Sequence, residues 1–286
     1  MTMRHKSKRS KGKFASSIFK NVTSVLLVFY SFVAIFLIGN TILSSFKTKS
    51  DLIHNTVGFP KKFTLDSFYK VLVEDHFPKY FSNSIILVIL SLILLILIAS
   101  MTAYGISQYE FKFKKFLESY FLLGLMFPLQ LGILPLFIIL TRLHLNNSLW
   151  GLALLYTANM SFAVFIFSNF FKQLPKSVIE YARIDGASEF KIYAQIIIPI
   201  SKPVIFTVAI LNFVQIWNDF YLPLVFLTKS SVKTLTLAVY SYSADFLANW
   251  DKIFAAATIA LIPLIIFYFF FSEQIIAGLT NGAVKE

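Results

Sequence analysis

Six stretches of roughly twenty consecutive apolar residues constrain this chain more than any other feature. They lie at about 22–43, 83–105, 117–140, 149–171, 203–227 and 254–276. The hydrocarbon core of a bilayer is about 30 Å thick and an α-helix rises about 1.5 Å per residue, so each stretch is long enough to cross it. Backbone polar groups in lipid must be paired within the segment, which makes helices the expected form. Apolar residues make up 57% of the chain and charged residues only 14%, against about 25% charged in soluble domains. The basic residues gather between the apolar stretches and form no aromatic-interleaved patch. The formal net charge of +12 therefore reads as membrane topology, with lipid rather than nucleic acid as the expected neighbour. The chain has no cysteine, which excludes a disulfide framework, a cysteine-ligated metal and a thiol nucleophile.

Residues of about 1–21 carry seven basic side chains and no acid, from Arg4 to Lys20. The apolar run after them exceeds the usual 7–15 residues of a signal-peptide core, and no A-x-A site comes next, so it reads as a retained first span. With the N-terminus inside, the inner segments (1–21, 106–116, 172–202, 277–286) hold sixteen Lys and Arg, and the outer segments hold ten. That excess favours N-in and C-in, although the first outer loop alone holds six lysines. Trp150 and Trp250 fall near outer boundaries, where indole rings favour the interface. Pro128 and Pro135 lie within the third span and should kink it, since each removes a backbone donor.

The inner loop between spans four and five, 172–202, is the longest internal one and is not built as a linker. Ser177 with Glu180 has the S-x-x-E form of a capping box, which predicts a helix to about Asp185. Gly186 then allows a left-handed turn, and Ser188 caps a second helix that ends before Pro199. Ile179, Ala182 and Tyr193 supply apolar contact area, while Arg183, Glu189 and Lys191 keep the element wettable. The outcome is a helix-turn-helix at the inner membrane surface, suited to docking an internal partner.

This loop resembles the signature of permeases of bacterial ATP-binding-cassette importers, E-A-A-x-x-x-G followed by nine residues and I-x-L-P. It reads here as Glu180-Tyr181-Ala182, Gly186, Ile196, Ile198 and Pro199, with Tyr181 in place of an alanine and Ile198 in place of a leucine. The run Ala182-Arg-Ile-Asp-Gly-Ala-Ser188 resembles the sugar-importing, maltose-type branch. So do Trp217-Asn-Asp-Phe220 with Pro223-Leu-Val-Phe226, and the ending Gly278-Leu-Thr-Asn-Gly-Ala-Val-Lys285. The resemblance implies a loop (Glu180, Ala182, Asp185, Gly186, Ala187, Pro199) that docks in a cleft of an ATPase subunit. It further implies a second homologous permease, two cytoplasmic ATPase subunits, an extracytoplasmic sugar-binding protein and a multi-pass place in the bacterial cell membrane. ATP and Mg would belong to the ATPase subunits, with no cofactor on this chain. The residues agree on one point: no G-x-x-x-x-G-K-[ST] phosphate loop occurs.

Within the apolar runs, Asp219 is the only ionisable residue well inside a span. Such groups cost at least roughly 2.5 kcal/mol at a helix centre, so they face protein or water. Asn212, Gln215 and Asp219 fall on one helix face, with Asn218 beside them. The stripe either lines a translocation path or binds helices together by buried hydrogen bonds, and the residues leave both open. The outer loop of about 228–252 carries Tyr240, Tyr242, Phe246 and Trp250, suited to a sugar-binding protein or to the lipid interface. The four histidines lack metal-ligand spacing, and neither H-E-x-x-H nor G-x-S-x-G occurs, which speaks against an enzyme. The sequence thus predicts an all-α membrane protein of about six transmembrane helices, N-in and C-in. Residues 1–21 form a basic inner segment, 22–276 the permease domain and 277–286 an inner tail. Its predicted role is the ATP-driven import of a sugar or oligosaccharide. The alternatives are a non-sugar solute, or a secondary transporter of the kind that couples through midplane carboxylates.

Overall fold

A computed structural model describes the backbone of residues 4–243 and 246–283, and the side chains of residues 20–243 and 249–273. The end of the closing motif at Lys285 and the side chain of Phe246 lie outside the described residues. Every regular element among the described residues is helical. Two compact units form, Met1–Glu74 with Asp245–Ile259, and Asp75–Ala244 with Ala260–Glu286.

In the first unit, α1 (Arg4–Ser44) contains the apolar stretch Lys20–Ser44. After it comes a small folded subdomain rather than an open loop, with α2 (Lys49–His54), α3 (Asp66–Tyr69) and a wide turn at Lys70–Glu74. Thr48 caps α2 by accepting from the Asp51 N–H at 3.2 Å. Lys47 is fully buried, and its ammonium donates to the carbonyls of Asn55 and Thr56 at 2.7 and 3.4 Å. It thereby satisfies acceptors that the end of α2 leaves without partners. Phe46 packs against Phe63 and Phe68, and Lys70 pairs with buried Asp251 at 3.5 Å. Asp251 belongs to α15 (Phe246–Ala283).

The second unit is organised around α4 (Phe77–Gln108), whose buried stripe runs through Leu87, Ser91, Leu95, Ala99 and Ala103 at four-residue intervals. Spacing of four keeps those residues on one face, and the small ones let neighbouring helices approach closely. Against that stripe pack α7 (Leu149–Ala158), α8 (Ser161–Phe171) and α12 (Lys202–Asn218), and α5 (Lys114–Met126) lies against α4 and α8, with α6 (Ile133–Arg142) after it in the chain. Between α8 and α12 lie α9 (Lys176–Ile184), α10 (Glu189–Ile192) and α11 (Ile198–Ile200), and beyond α12 lie α13 (Tyr221–Phe226) and α14 (Leu235–Tyr242). Three helical stretches are long and apolar enough to cross a membrane: Lys20–Ser44, Phe77–Gln108 and Asn249–Glu273. Three bent pairs raise the number to as many as six.

Several expected spans are broken. The third bends by 95° between Met126 and Leu129, where Pro128 adopts extended backbone. Pro135 falls in the first turn of α6, where its missing N–H leaves no bond unmade, so it produces no second kink. The fourth bends by 50° between Ala158 and Ser161 without any proline. The fifth stops at Asn218: Asp219 is extended and caps the next helix, α13, so it is not on the helical face with Asn212 and Gln215. The segment after α13, expected to be a loop, also differs from a free one. Leu235, Leu237 and Ala238 of α14 are buried, Tyr240 stacks on Phe220, and the Tyr242 hydroxyl donates to Asp75 at 2.8 Å.

Candidate functional site: an anchored loop and a polar cavity

Within the segment 172–202, the first helix begins two residues earlier than its sequence suggests. Extended Pro175 precedes α9, so Ser177 lies inside the helix and makes no cap with Glu180, which is exposed. The capping box is therefore absent. The turn itself is as expected: Gly186 has φ +77°, its N–H donates to Arg183 O, and the Ala187 N–H reaches back to Ala182 O, both at 3.0 Å. These two bonds are the Schellman pair that closes a helix with a left-handed residue. Ser188 caps α10 through the Lys191 N–H. The second helix runs on past Pro199, through a widened turn at Tyr193–Ile197, to Ile200. Pro199 has no N–H to place in a regular turn, and the Ile198 N–H bonds five residues back to Tyr193 O.

The apolar faces exchange roles relative to the sequence reading. Ile179 and Tyr193 are buried, and Ala182 is half-buried, all within the chain's own core with Ile192 and Ile197. Tyr181, Ile184 and Phe190 point outward, at 69, 79 and 70% exposure, beside exposed Glu180 and Asp185. Two apolar stripes at helical spacing run side by side along α9, one through Ile179 and Ala182 and the other through Val178, Tyr181 and Ile184. Periodicity alone does not say which of them faces the chain.

Glu189 fastens this element to α4. Its carboxylate accepts from Arg183 Nε at 2.7 Å, from Tyr104 at 3.2 Å and from the Tyr109 hydroxyl, and the Arg183 guanidinium lies 5.6 Å from the Tyr109 ring centre. The Arg183 hydrogen bond, then that from Tyr109, holds the Glu189 carboxyl below its ordinary range, and Glu189 in turn raises Arg183. Burial, followed by the bond to Glu189, pushes the Tyr109 phenol up. Tyr193 adds a deeper anchor, sharing a 2.7 Å hydrogen bond with Ser100.

A second site lies where the broken helices meet. A cavity of about 510 Å³ is lined by Gly124, Pro128 and Gln130 at the first break, and by Tyr156, Asn159 and Ser161 at the second. Asn212, Gln215, Asn218 and Asp219 line it at the end of α12. All four residues singled out from the fifth span thus share one cavity. Gln130 and Asn159 were missed because they lie in other apolar runs, and only the breaks bring them there.

The polar groups are not equally free. Asp219 Oδ1 accepts from the Tyr221 and Leu222 N–H groups at 2.8 and 3.4 Å, and Oδ2 accepts from Tyr156 at 2.8 Å. Asp219 therefore starts α13 and ties it to α7, satisfying donors that a helix start exposes. Asn212 and Asn218 donate back to Val208 and Val214 carbonyls within α12. Gly124 allows α5 to cross α8 closely, because an added Cβ would stand 2.3 Å from Ser161 Oγ.

Broken apolar spans around a polar cavity, with an amphipathic segment fixed to one end of the bundle, define a membrane-transport permease. Residues 95–280 match the family described as binding-protein-dependent transport system inner membrane component, and the chain belongs to it. It is 37% identical over 250 residues to the multiple sugar-binding transport system permease protein MsmG of Streptococcus mutans, covering 86% of this chain and 90% of that one. It is 31% identical over 274 residues to the arabinooligosaccharides transport system permease protein AraQ of Bacillus subtilis, covering 94% and 97%. A crystal structure of a bacterial ABC transporter involved in the import of the acidic polysaccharide alginate has a chain that superposes with a TM-score of 0.79. The match covers 91% of this chain and 97% of that one at 20% identity, so the likeness is one of fold.

Proposed function

We propose that this chain is one permease subunit of an ATP-driven importer in the bacterial cell membrane, carrying a sugar or oligosaccharide inward. It pairs with a second, homologous permease and two cytoplasmic ATPase subunits, and an extracytoplasmic binding protein delivers the sugar. ATP and Mg reside on the ATPase subunits. The six-span reading counts the bent pairs Lys114–Met126 with Leu129–Arg142 and Leu149–Ala158 with Ser161–Phe171 as one span each and starts the fifth span at α12, with both termini and the segment 172–202 inside. The single observation that carries the reading is the outward patch of Tyr181, Ile184 and Phe190 on a segment anchored from behind. Exposed aromatic and aliphatic side chains flanked by carboxylates suit a cleft in another protein.

The mechanism rests on two mechanical links. The helix from Glu189 to Ile200 meets α12 at a 75° bend. The far end of α12, about 25 Å away over its 17 residues, carries Gln215 and Asn218 on the cavity wall. A push on the outward patch by a closing ATPase pair is thereby delivered to the cavity. Glu189 delivers the same push to α4, so the helices move together. Sugar hydroxyls would exchange water for the carboxamides of the cavity during passage.

The test exploits the lack of native cysteine. Ile184→Cys and Phe190→Cys variants, purified as a complex active in uptake, are treated with a short bis-maleimide. Crosslinks to the ATPase subunit are expected, and their yield should change with bound nucleotide. An active complex in which neither position reaches the ATPase subunit would sink this reading.

A further inference from the structure

We infer that this chain holds a bilayer phospholipid with a primary-amine headgroup, of the phosphatidylethanolamine kind, in a second cavity between α5 and α8. The cavity has a volume of about 160 Å³ and shares no lining residue with the polar one. It lies where α8 leads into segment 172–202. Lys172 and Glu118 stand on its rim, paired at 2.8 Å and still 47 and 30% exposed. One turn of α8 further in come Ser168 and Asn169, and one turn beyond those Val164 and Phe165, each step about 5.4 Å. Ile106 and Phe121 close the inner wall. Charge, then polar groups, then hydrocarbon is the order of a phospholipid read from its headgroup through its glycerol esters to its acyl chains. Ser168 supplies an independent sign. It is only 9% exposed, and its hydroxyl has no hydrogen-bond partner among the described residues. Other buried helical hydroxyls, those of Ser100, Thr157 and Ser201, donate to the carbonyl four residues back. Ser168 keeps its donor for a guest such as an ester carbonyl.

The rim selects the headgroup. A phosphate takes Lys172 and an ammonium takes Glu118, so a zwitterion carrying both replaces the ion pair without leaving either charge alone. Phosphatidylcholine has no N–H to give Glu118, and phosphatidylglycerol brings a phosphate with no cation to answer the carboxylate. The interior suits hydrocarbon. An apolar void of about 150 Å³ accepts a benzene-sized guest, so this one takes several methylenes of an acyl chain. The rest of the chain lies over the exposed faces of Phe165 and Leu122. The lipid thereby joins α5 to α8 just before Pro175, where α9 starts. The site stands whether or not the cargo is a sugar.

The experiment uses the complete complex in phosphatidylcholine nanodiscs that hold a trace of phosphatidylethanolamine with a photoreactive diazirine in its acyl chain. Unlabelled phosphatidylethanolamine, phosphatidylglycerol or more phosphatidylcholine is the competitor. Label is expected on peptides from 106–122 and 161–172. Phosphatidylethanolamine should compete about fivefold better than the other two, the worth of one charge-assisted hydrogen bond at a partly exposed site. Glu118→Gln keeps the shape and should bring that ratio near one. Leu122→Trp, on a half-exposed wall, should fill the cavity and remove the label. Ser168→Ala should not lower the melting temperature in phosphatidylcholine, yet should shrink the rise that phosphatidylethanolamine gives the parent. Label confined to other peptides, or equal competition by all three lipids, overturns the site. Stronger competition by phosphatidylglycerol, or a ratio unmoved by Glu118→Gln, overturns the headgroup class. A complex that imports sugar without these lipid effects loses the lipid site alone. One that shows them without ATP-driven uptake loses the importer reading alone.

Discussion

Gly186 offers the cleanest perturbation, because an added side chain there meets nothing. Its φ is +77°, and no heavy atom lies within 4 Å of an ideal Cβ. The cost of a substitution is then purely conformational. An L-residue held in the left-handed region costs roughly 1–2 kcal/mol, a β-branched one more, and Asn least. At 1.4 kcal/mol per decade, Gly186→Ala should weaken ATPase association about fivefold and Gly186→Val about thirtyfold or more. Gly186→Asn should stay near the parent. The Schellman bonds to Arg183 and Ala182 explain the severity: if the turn opens, α10 and Glu189 lose their place against Tyr104 and Tyr109. Membrane abundance should not change, since insertion depends on apolar runs that the change does not touch. The assay is equilibrium association of the ATPase subunit with the purified permease pair, together with sugar-stimulated ATP hydrolysis. A Val variant with unchanged association and hydrolysis would refute the coupling role. Asn as damaging as Val would refute the backbone argument.

Glu189→Ala removes a partly exposed ion pair, worth about 0.2–1 kcal/mol, together with two tyrosine hydrogen bonds. A total loss of about 1–3 kcal/mol should appear as faster hydrogen exchange in 176–200, with Glu189→Gln milder. Because the folded-state pKa of Glu189 is depressed, this stabilisation is fully present above about pH 4.3 and is lost as pH falls through the folded value, so the same exchange should speed up only in that acid range. Gly124→Val should cost about 1–3 kcal/mol by overpacking against Ser161, and Ser161→Gly should restore much of it in a thermal melt. Lys47→Ala should destabilise the first unit by about 1–3 kcal/mol, leaving two carbonyls unpaired, with little effect on ATPase association.

Much of the molecule was legible because lipid imposes a simple rule. Apolar runs of about twenty residues marked three long helices and the bent pairs that raise the number of spans to as many as six, and Gly186 and Ser188 were readable because turn and cap chemistry is local. The break at Asn159 and Met160 was not legible. No proline or glycine marks it, and packing of α7 and α8 against α4 supplies the reason only in three dimensions. The false capping box at Ser177 shows a local signal overridden: Pro175 already suits the residue before a helix, so α9 starts there. Asp219 was half legible, since its charge in an apolar run marked a special place. That it is committed to α13 and Tyr156 depended on the chain breaking just there. The six lysines of segment 45–82 diluted the charge count partly for structural reasons. Lys47 is buried among carbonyls and Lys70 pairs with Asp251, so neither is free to report topology.

The most direct measurement is uptake into proteoliposomes that hold this chain, its partner permease and the ATPase subunits, supplied with the binding protein and a radiolabelled neutral oligosaccharide. Accumulation should require ATP in the ATPase compartment and the binding protein on the opposite side. It should fall to background with Gly186→Val although the chain is still present in the membrane. Accumulation driven by an ion gradient alone, with the ATPase subunits absent, would contradict the account.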